Sequence, residues 1–173
     1  MNYAQVTSRF YVGSHPHSVD DIETLEKILA ITAILNLQTD EDMAVASLNW
    51  QLLESHYKTC AVSLCRMPMK EDQVVLREKL FSCVDRLDDL LAAGHTVYLH
   101  CTAGIGRSPT VAIGYLHRCL GWDLKAAVRY VKQVRRCSLP RGPSARNFGP
   151  RKAGVRRDVD VLSSRSSAGF PTI

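Results

Sequence analysis

No stretch of this chain stays hydrophobic over the roughly 20 residues that a membrane-spanning helix needs, so no bilayer insertion is predicted. The first residues are polar and strand-like and show no signal or transit peptide. Neither the six cysteines nor His15, His17 and His56 have the paired spacing of metal ligands. We therefore expect free thiols, no bound metal and histidines in solvated loops.

Net positive charge is absent from the first 137 residues, and the whole excess of +5 lies in residues 138–173. That segment is rich in Gly, Pro, Ser and Arg and has no apolar periodicity, which is typical of disordered chain. The sequence therefore predicts one domain at 1–137 and a basic, disordered tail at 138–173. A solvated tail is favoured over an anion- or RNA-binding arm, and nucleic acid is not expected as a partner.

Within the domain, strand-like and helix-like segments alternate. Short apolar runs predict strands at 9–13, 31–37, 61–66 and 96–99. Apolar residues at helical spacing predict a helix capped by Ser18, another including 50–58, a long one from about residue 74 to Gly94, one ending at Gly121 and one at 123–136. Residues 38–42 are predicted to form a polar turn. This alternation indicates an α/β fold, a small central, mostly parallel sheet with helices on both faces.

The ten residues HCTAGIGRSP, at positions 100–109, lie between the strand at 96–99 and a helix. Gly104 and Gly106 allow positive φ angles, which would turn successive backbone N–H groups toward one point and make an anion site. The helix N-terminus that follows favours both a phosphate and a thiolate. Cys101 is thus expected to ionise easily, and Arg107 can bind two phosphoryl oxygens at once.

This arrangement predicts phosphoryl transfer without a metal or any other cofactor. Cys101 would be the nucleophile, and Arg107 with the loop amides would stabilise the transition state. Two neighbours would support them: His100 would orient the loop, and Ser108 would either donate a hydrogen bond to the sulfur or satisfy its own backbone. The expected phosphate-binding residues are Thr102, Ala103, Gly104, Ile105, Gly106 and Arg107.

The signature His-Cys, five residues, then Arg-Ser resembles that of the dual-specificity branch of the cysteine-dependent protein tyrosine phosphatases. The resemblance implies the cysteine-phosphatase fold and a general acid on the loop after an earlier strand. The matching segment here is Pro68-Met69-Lys70-Glu71-Asp72. Asp72 is the expected acid and Glu71 the alternative, while either carboxylate could instead be solvated at the start of the next helix.

The segments VTSRFYVGSHPHSVDDIETL and ITAILNLQTDED resemble the opening of the plant and algal glucan phosphatases of the starch-excess and like-starch-excess type. This resemblance implies a phosphomonoesterase acting on phosphorylated glucan or, second, on phosphoprotein. It also implies a plastid stroma location in a plant or alga, and otherwise a cytoplasmic one. We expect a monomer. The alternative is a pseudophosphatase that binds a phospho-ligand but has an impaired general acid.

Overall fold

A computed structural model describes residues 1–71, 73–139 and 148, and for residues 73–78 it describes the backbone only. The described part contains one five-stranded sheet with the order β1-β2-β5-β3-β4. Its strands are β1 (Tyr3–Thr7), β2 (Phe10–Gly13), β3 (Ala33–Asn36), β4 (Ser63–Arg66) and β5 (Val97–His100). Only β1 pairs antiparallel with its neighbour, and the other pairings are parallel. The sheet is therefore mostly parallel, as the sequence predicts.

Six helices connect and cover the strands in the described part of the chain. They are α1 (Val19–Lys27), α2 (Asp40–Val45), α3 (Trp50–Thr59), α4 (Gln73–Ala92), α5 (Arg107–Arg118) and α6 (Leu124–Val134). Side-chain caps fix several starts: Ser18 accepts from the Asp21 amide at α1, and Asp123 accepts from the Ala126 amide at α6.

The sheet separates two hydrophobic cores, because alternate residues of a strand face opposite sides. On β5, Val97 and Leu99 belong to the core that includes buried residues of α4, α5 and α6, whereas Tyr98 belongs to the core with α1 and α3. Helices thus cover both faces, in agreement with the predicted α/β class. None of the described helices is both long and apolar enough to cross a bilayer.

The observed elements differ from the prediction at two places, the segment that follows β3 and the strand β1. The predicted turn at 38–42 contains the start of α2, because Thr39 and Asp42 form a capping box in which each side chain accepts from the other's backbone amide. The strand β1 was not predicted as a separate element. It pairs along β2, with an irregularity between Gln5 and Thr7.

Packing also continues past the predicted domain boundary at residue 137. The Ser138 amide donates to the Ile105 carbonyl over 2.7 Å, and Leu139 packs against the larger core. Phe148 is 1% exposed and its ring lies edge-on to His117. Ser138, Leu139 and Phe148 thus contact the domain, and the disorder predicted for the rest of 138–173 falls outside the described residues.

Candidate active site

The loop 101–106 leaves the carboxyl end of β5 and leads directly into α5. His100, the last residue of β5, pairs in register with Gly13 of β2 and Asn36 of β3. Because these three strands are parallel, the segments that follow them meet at one edge of the sheet. The loop is consequently flanked by the chain after β2 on one side and by the chain after β3 on the other.

The first carbonyls of this loop are bound from outside by two buried histidines. The Cys101 carbonyl accepts from His100 Nδ1 at 3.2 Å. The Thr102 carbonyl accepts from both the backbone amide and Nδ1 of His15, at 3.0 and 2.8 Å. Since a carbonyl accepts in each case, Nδ1 carries the proton on both rings.

The next two carbonyls are bound by one arginine. Nε of Arg135 donates to the Gly104 carbonyl at 2.5 Å, and Nη2 donates to the Ala103 carbonyl at 3.3 Å. Nη1 of the same side chain donates to Asn2 Oδ1 at 2.8 Å. The middle of the loop is thus held by a residue at the end of α6.

The last two carbonyls of the loop also have partners. Ile105 O accepts from the Ser138 amide, and Gly106 O accepts from Thr110 Oγ1 at 2.9 Å. In a planar trans peptide the N–H points opposite to the C=O, so the amides that follow these carbonyls face away from those partners. Among the described residues, none of the amides of residues 102–106 donates a hydrogen bond. The loop therefore presents a set of free N–H donors, as an anion site requires.

Gly104 has the backbone that this curvature needs, with φ at +70°. A Cβ there would lie 2.4 Å from the backbone of Gly13 and from the Arg135 side chain, so no larger residue fits. Gly106, by contrast, has φ at −115°, and a Cβ added to it would have its nearest neighbouring atom 3.8 Å away. The expectation that both glycines adopt positive φ is therefore wrong for Gly106.

Cys101 lies at the base of the loop and is 2% exposed. Its Sγ is 3.4 Å from Oγ of the fully buried Ser108, in the first turn of α5. The N-terminus of α5 has no side-chain cap, since Gly106 is the N-cap residue. The sulfur thus lies at the N-terminal end of α5, whose first backbone amides have no side-chain acceptor.

Arg107 is bound on the side away from the loop by a carboxylate. Nη1 donates to Asp42 Oδ2 at 2.5 Å and Nη2 to Asp42 Oδ1 at 3.1 Å. Nη1 also donates to the Met69 carbonyl at 2.8 Å, and Nη2 to Thr102 Oγ1 at 3.2 Å. Within the described residues Nε donates no hydrogen bond. Both N–H groups of Nη2 already have acceptors, so Nε is the guanidinium donor that remains for an oxyanion.

The ion pair keeps both partners charged. Burial raises the pKa of Asp42, but the hydrogen bonds from Arg107 and Thr39 outweigh burial and leave that pKa lower than usual. Burial lowers the pKa of Arg107, but the hydrogen bond to Asp42 and the electrostatic influence of Cys101, Asp42 and Glu71 together outweigh burial and leave that pKa higher than usual. A fixed positive charge next to the loop results.

Of the two acid candidates, the structure describes Glu71 and not Asp72, which lies outside the described residues. Glu71 is an exposed side chain whose Oε1 is 3.5 Å from Arg107 Nε. A recess of about 390 Å³ opens at this point. It is lined by Thr39, Glu41, Asp42, Lys70, Glu71 and Arg107.

His100 and His15 are both buried and neutral. Burial lowers the pKa of His100 to about 3, and burial also lowers the pKa of His15. The expectation that His15 lies in a solvated loop is thus wrong, and His56 lies on α3; only His17 of the three is exposed. Among the described residues, no group of three metal-ligating side chains is suitably placed for an ion.

The structure brings together every described residue that the sequence predicts for the site, and it adds Asp42, His15 and Arg135. The pattern Thr39-x-x-Asp42 is a capping-box signal directly after a buried strand, so Asp42 could have been noticed. Nothing local to His15 or Arg135 indicates a contact with the loop.

A family model described as "Dual specificity phosphatase, catalytic domain" matches residues 10–146. Curated relatives include phosphoglucan phosphatase LSF1, chloroplastic, from Arabidopsis thaliana, which is 34% identical over 82% of this chain and 24% of its own length. Laforin from Mus musculus is 31% identical over 78% of this chain and 44% of its length. Dual specificity protein phosphatase 5 from Homo sapiens is 31% identical over 94% of this chain and 37% of its own length. The chain thus spans less than half the length of each of these relatives.

Solved structures of similar fold include PTPMT1, with a TM-score of 0.67, 20% identity and coverage of 81% of this chain and 87% of that one. Tk-PTP in the active form has a TM-score of 0.64, 19% identity and coverage of 84% and 90%. At this level of identity the likeness concerns the fold alone.

Proposed function

The chain belongs to the dual-specificity phosphatase family of cysteine-dependent phosphatases, and from this premise we propose that it cleaves phosphate monoesters through a phosphocysteine intermediate on Cys101. The observation that carries the proposal is the set of unpaired amides at residues 102–106, which lie beside the buried sulfur and the unpaired Nε of Arg107. Such donors stabilise the charge on phosphoryl oxygens and need no rearrangement during the reaction.

In the first step the Cys101 thiolate attacks phosphorus while the bond from phosphorus to the ester oxygen breaks. The loop amides and the Arg107 guanidinium bind the three non-bridging oxygens. The leaving oxygen takes a proton from a carboxylic acid on the loop after β4, with Asp72 as the proposed acid and Glu71 as the alternative.

In the second step a water attacks the phosphocysteine. The same carboxylate accepts the proton of this water, the sulfur–phosphorus bond breaks, and inorganic phosphate and the thiolate are released. Ser108 lies within 3.4 Å of the sulfur and would donate a hydrogen bond to it as it leaves. His100 would keep the loop oriented through the Cys101 carbonyl.

Phosphorylated glucan is the proposed first substrate, and phosphoprotein the second. The name of one relative, phosphoglucan phosphatase LSF1, and that of another, dual specificity protein phosphatase 5, support these two classes respectively. The side chains of Thr102, Ala103 and Ile105 carry no charge, which favours a monophosphate ester over a polyanionic inositol lipid. Two relatives are named as chloroplastic and amyloplastic, which supports a plastid stroma location if the source is a plant or alga.

The proposed organisation is a phosphatase domain followed by a basic tail. The domain then includes residue 148, because Phe148 fills part of the core. The tail is proposed to be a solvated appendage without a direct part in catalysis.

The test is a phosphate-release assay on solubilised amylopectin, on phosphotyrosine and phosphoserine peptides, and on inositol phospholipid vesicles. We expect the highest kcat/KM on amylopectin and no release by Cys101→Ser on any substrate. Release from peptides alone would move the substrate to phosphoprotein. Release that persists in Cys101→Ser would contradict the mechanism.

p-Nitrophenyl phosphate separates an enzyme from the alternative of a binding module with an impaired acid. Its leaving group needs little protonation, so Cys101, Arg107 and the loop amides suffice for turnover. Binding of phosphate without any hydrolysis of this ester would support the pseudophosphatase.

A further inference from the structure

Arg135 is a second buried arginine, and it lies against the backbone of the loop at residues 103 and 104. Arg135 directly follows α6 and is 6% exposed. Three of its donors have fixed partners, the carbonyls of Ala103 and Gly104 and the side-chain oxygen of Asn2.

No carboxylate among the described residues pairs with Arg135. Burial lowers the pKa of this arginine, so the fold keeps a cation in a position that disfavours charge. The next largest influences on it are the Tyr98 hydroxyl and the Cys101 sulfur, both of which would favour the charged form. An anion in the loop is thus a natural counter-charge for Arg135.

Orientation of the peptide groups gives Arg135 a second effect. Because C=O and N–H of one peptide point in opposite directions, holding the Ala103 and Gly104 carbonyls outside turns the amides of Gly104 and Ile105 into the loop. A free peptide could rotate and present a carbonyl oxygen to the phosphate instead. Gly104 has no Cβ to oppose such rotation, so contacts from outside the loop are needed to fix the peptide.

We propose that Arg135 is a positioning residue of the phosphatase reaction, which fixes two amides of the loop toward the phosphoryl group and adds a positive charge behind it. This inference rests on the proposed function. Arg135 touches neither the sulfur nor the substrate and acts through the loop. Its effect is largest when the phosphoryl group is pentacoordinate and its oxygens are most strongly bound.

The experiment compares Arg135→Met and Arg135→Lys with Arg136→Met as the matched control, since Arg136 is the next residue and is exposed. For each variant of the full chain, kcat and KM on p-nitrophenyl phosphate, inhibition by vanadate and by inorganic phosphate, and the melting temperature are measured. Removing one oxyanion donor costs about 10²–10³ in kcat in a well-studied hydrolase.

We expect Arg135→Met to lower kcat about 100-fold, to change KM much less, and to weaken vanadate binding more than phosphate binding. Lysine keeps the charge but cannot reach both carbonyls, so Arg135→Lys should recover part of kcat. Arg136→Met should match the wild type. A purely structural role would lower the melting temperature and leave the ratio of vanadate to phosphate affinity unchanged.

Arg135→Met with wild-type kcat and wild-type vanadate affinity overturns the inference. If Arg135→Met does not fold, folded Arg135→Lys decides: a vanadate affinity equal to that of the wild type contradicts the proposal, and a loss of about tenfold or more supports it. Absence of wild-type turnover would contradict the proposed function instead. Vanadate binding, measured by the thermal shift that it causes, would then still test whether Arg135 positions the loop.

Discussion

Asp42 binds the guanidinium of Arg107 with both carboxylate oxygens, one on each terminal nitrogen. Two parallel hydrogen bonds fix the plane of an arginine as well as its position. Because Asp42 also caps α2 through Thr39, the arginine is tied to the first turn of a helix. Nε, the donor that remains for an oxyanion, is thereby held in a fixed direction.

Replacing Asp42 by Asn should release this hold. We expect Asp42→Asn to lower kcat/KM on p-nitrophenyl phosphate by about 10- to 100-fold, because small misplacements of a binding group have effects of that size. Asp40→Asn is the matched control, since Asp40 also pairs with an arginine, Arg66, but is 84% exposed. Equal kinetics of the two variants would contradict this role for Asp42.

The identity of the general acid can be read from how each variant depends on the leaving group. Asp72→Asn is expected to lower kcat by about 10²–10⁴ on a phosphoserine peptide, whose leaving alkoxide needs a proton, and far less on p-nitrophenyl phosphate. Phosphate inhibition should stay unchanged. Glu71→Gln is the paired variant. If it shows the leaving-group dependence and Asp72→Asn does not, the role belongs to Glu71.

Three glycines separate backbone strain from steric fit. Gly104→Ala should abolish turnover and lower the melting temperature, since it places a Cβ against the Gly13 backbone at a positive φ. Gly94→Ala meets nothing within 4 Å and suffers only from its φ of +94°, at about 1 kcal/mol. Gly106→Ala should stay folded. Circular dichroism melts and kcat for all three variants check this order, which a tolerated Gly104→Ala would refute.

Stability should fall in acid because His100 is buried without charge. Its pKa in the folded chain is about 3, below the value near 6.5 in an unfolded chain. Between these values the unfolded state binds the extra proton, so the free energy of unfolding decreases as the pH falls. His15 contributes with the same sign.

Urea unfolding of His100→Gln between about pH 5 and 7 measures this contribution. The slope of stability against pH should be smaller than in the wild type by up to about 1.4 kcal/mol per pH unit. His17→Gln serves as the exposed control. An unchanged slope in His100→Gln would show that the native ring accepts a proton in this range.

Phe148 tests where the domain ends. Its ring is buried against His117 and next to Gly114, so Phe148→Ala should reduce the free energy of unfolding by about 3–5 kcal/mol. A chain ending at residue 137 should be destabilised further, because it also lacks Leu139. Calorimetry of that chain and of the full chain measures the difference, and equal melting temperatures would contradict the prediction.

The loop 101–106 could be predicted from the sequence because the residues that determine it lie close together in the chain. A buried strand, Cys101, the glycines and Arg107 fall within a dozen residues, and a glycine at 104 permits the positive φ that the curvature of the loop needs. Helices with clear apolar periodicity were predictable for the same reason. The presence of a hydrophobic core on each face of the sheet could also be predicted, because alternating residues such as Leu99 and Tyr98 are both apolar and face opposite sides.

The contacts that shape the loop could not be predicted, since they join residues far apart in sequence. Asp42 meets Arg107 across 65 positions, His15 meets Thr102 across 87, and Arg135 meets Gly104 across 31. Basic composition after residue 137 likewise concealed Phe148, because a single buried aromatic has no periodic signal.

Because distant residues bind the loop carbonyls, the proposed catalysis depends on the completed fold. The partners come from the chain after β2, the end of β5, the end of α6 and the segment beyond it, so a partly folded chain contains the cysteine but no anion cradle. During refolding, the return of hydrolysis should coincide with docking of the last segments, later than the first compaction of the core. The return of the proposed activity would therefore report that the fold is complete.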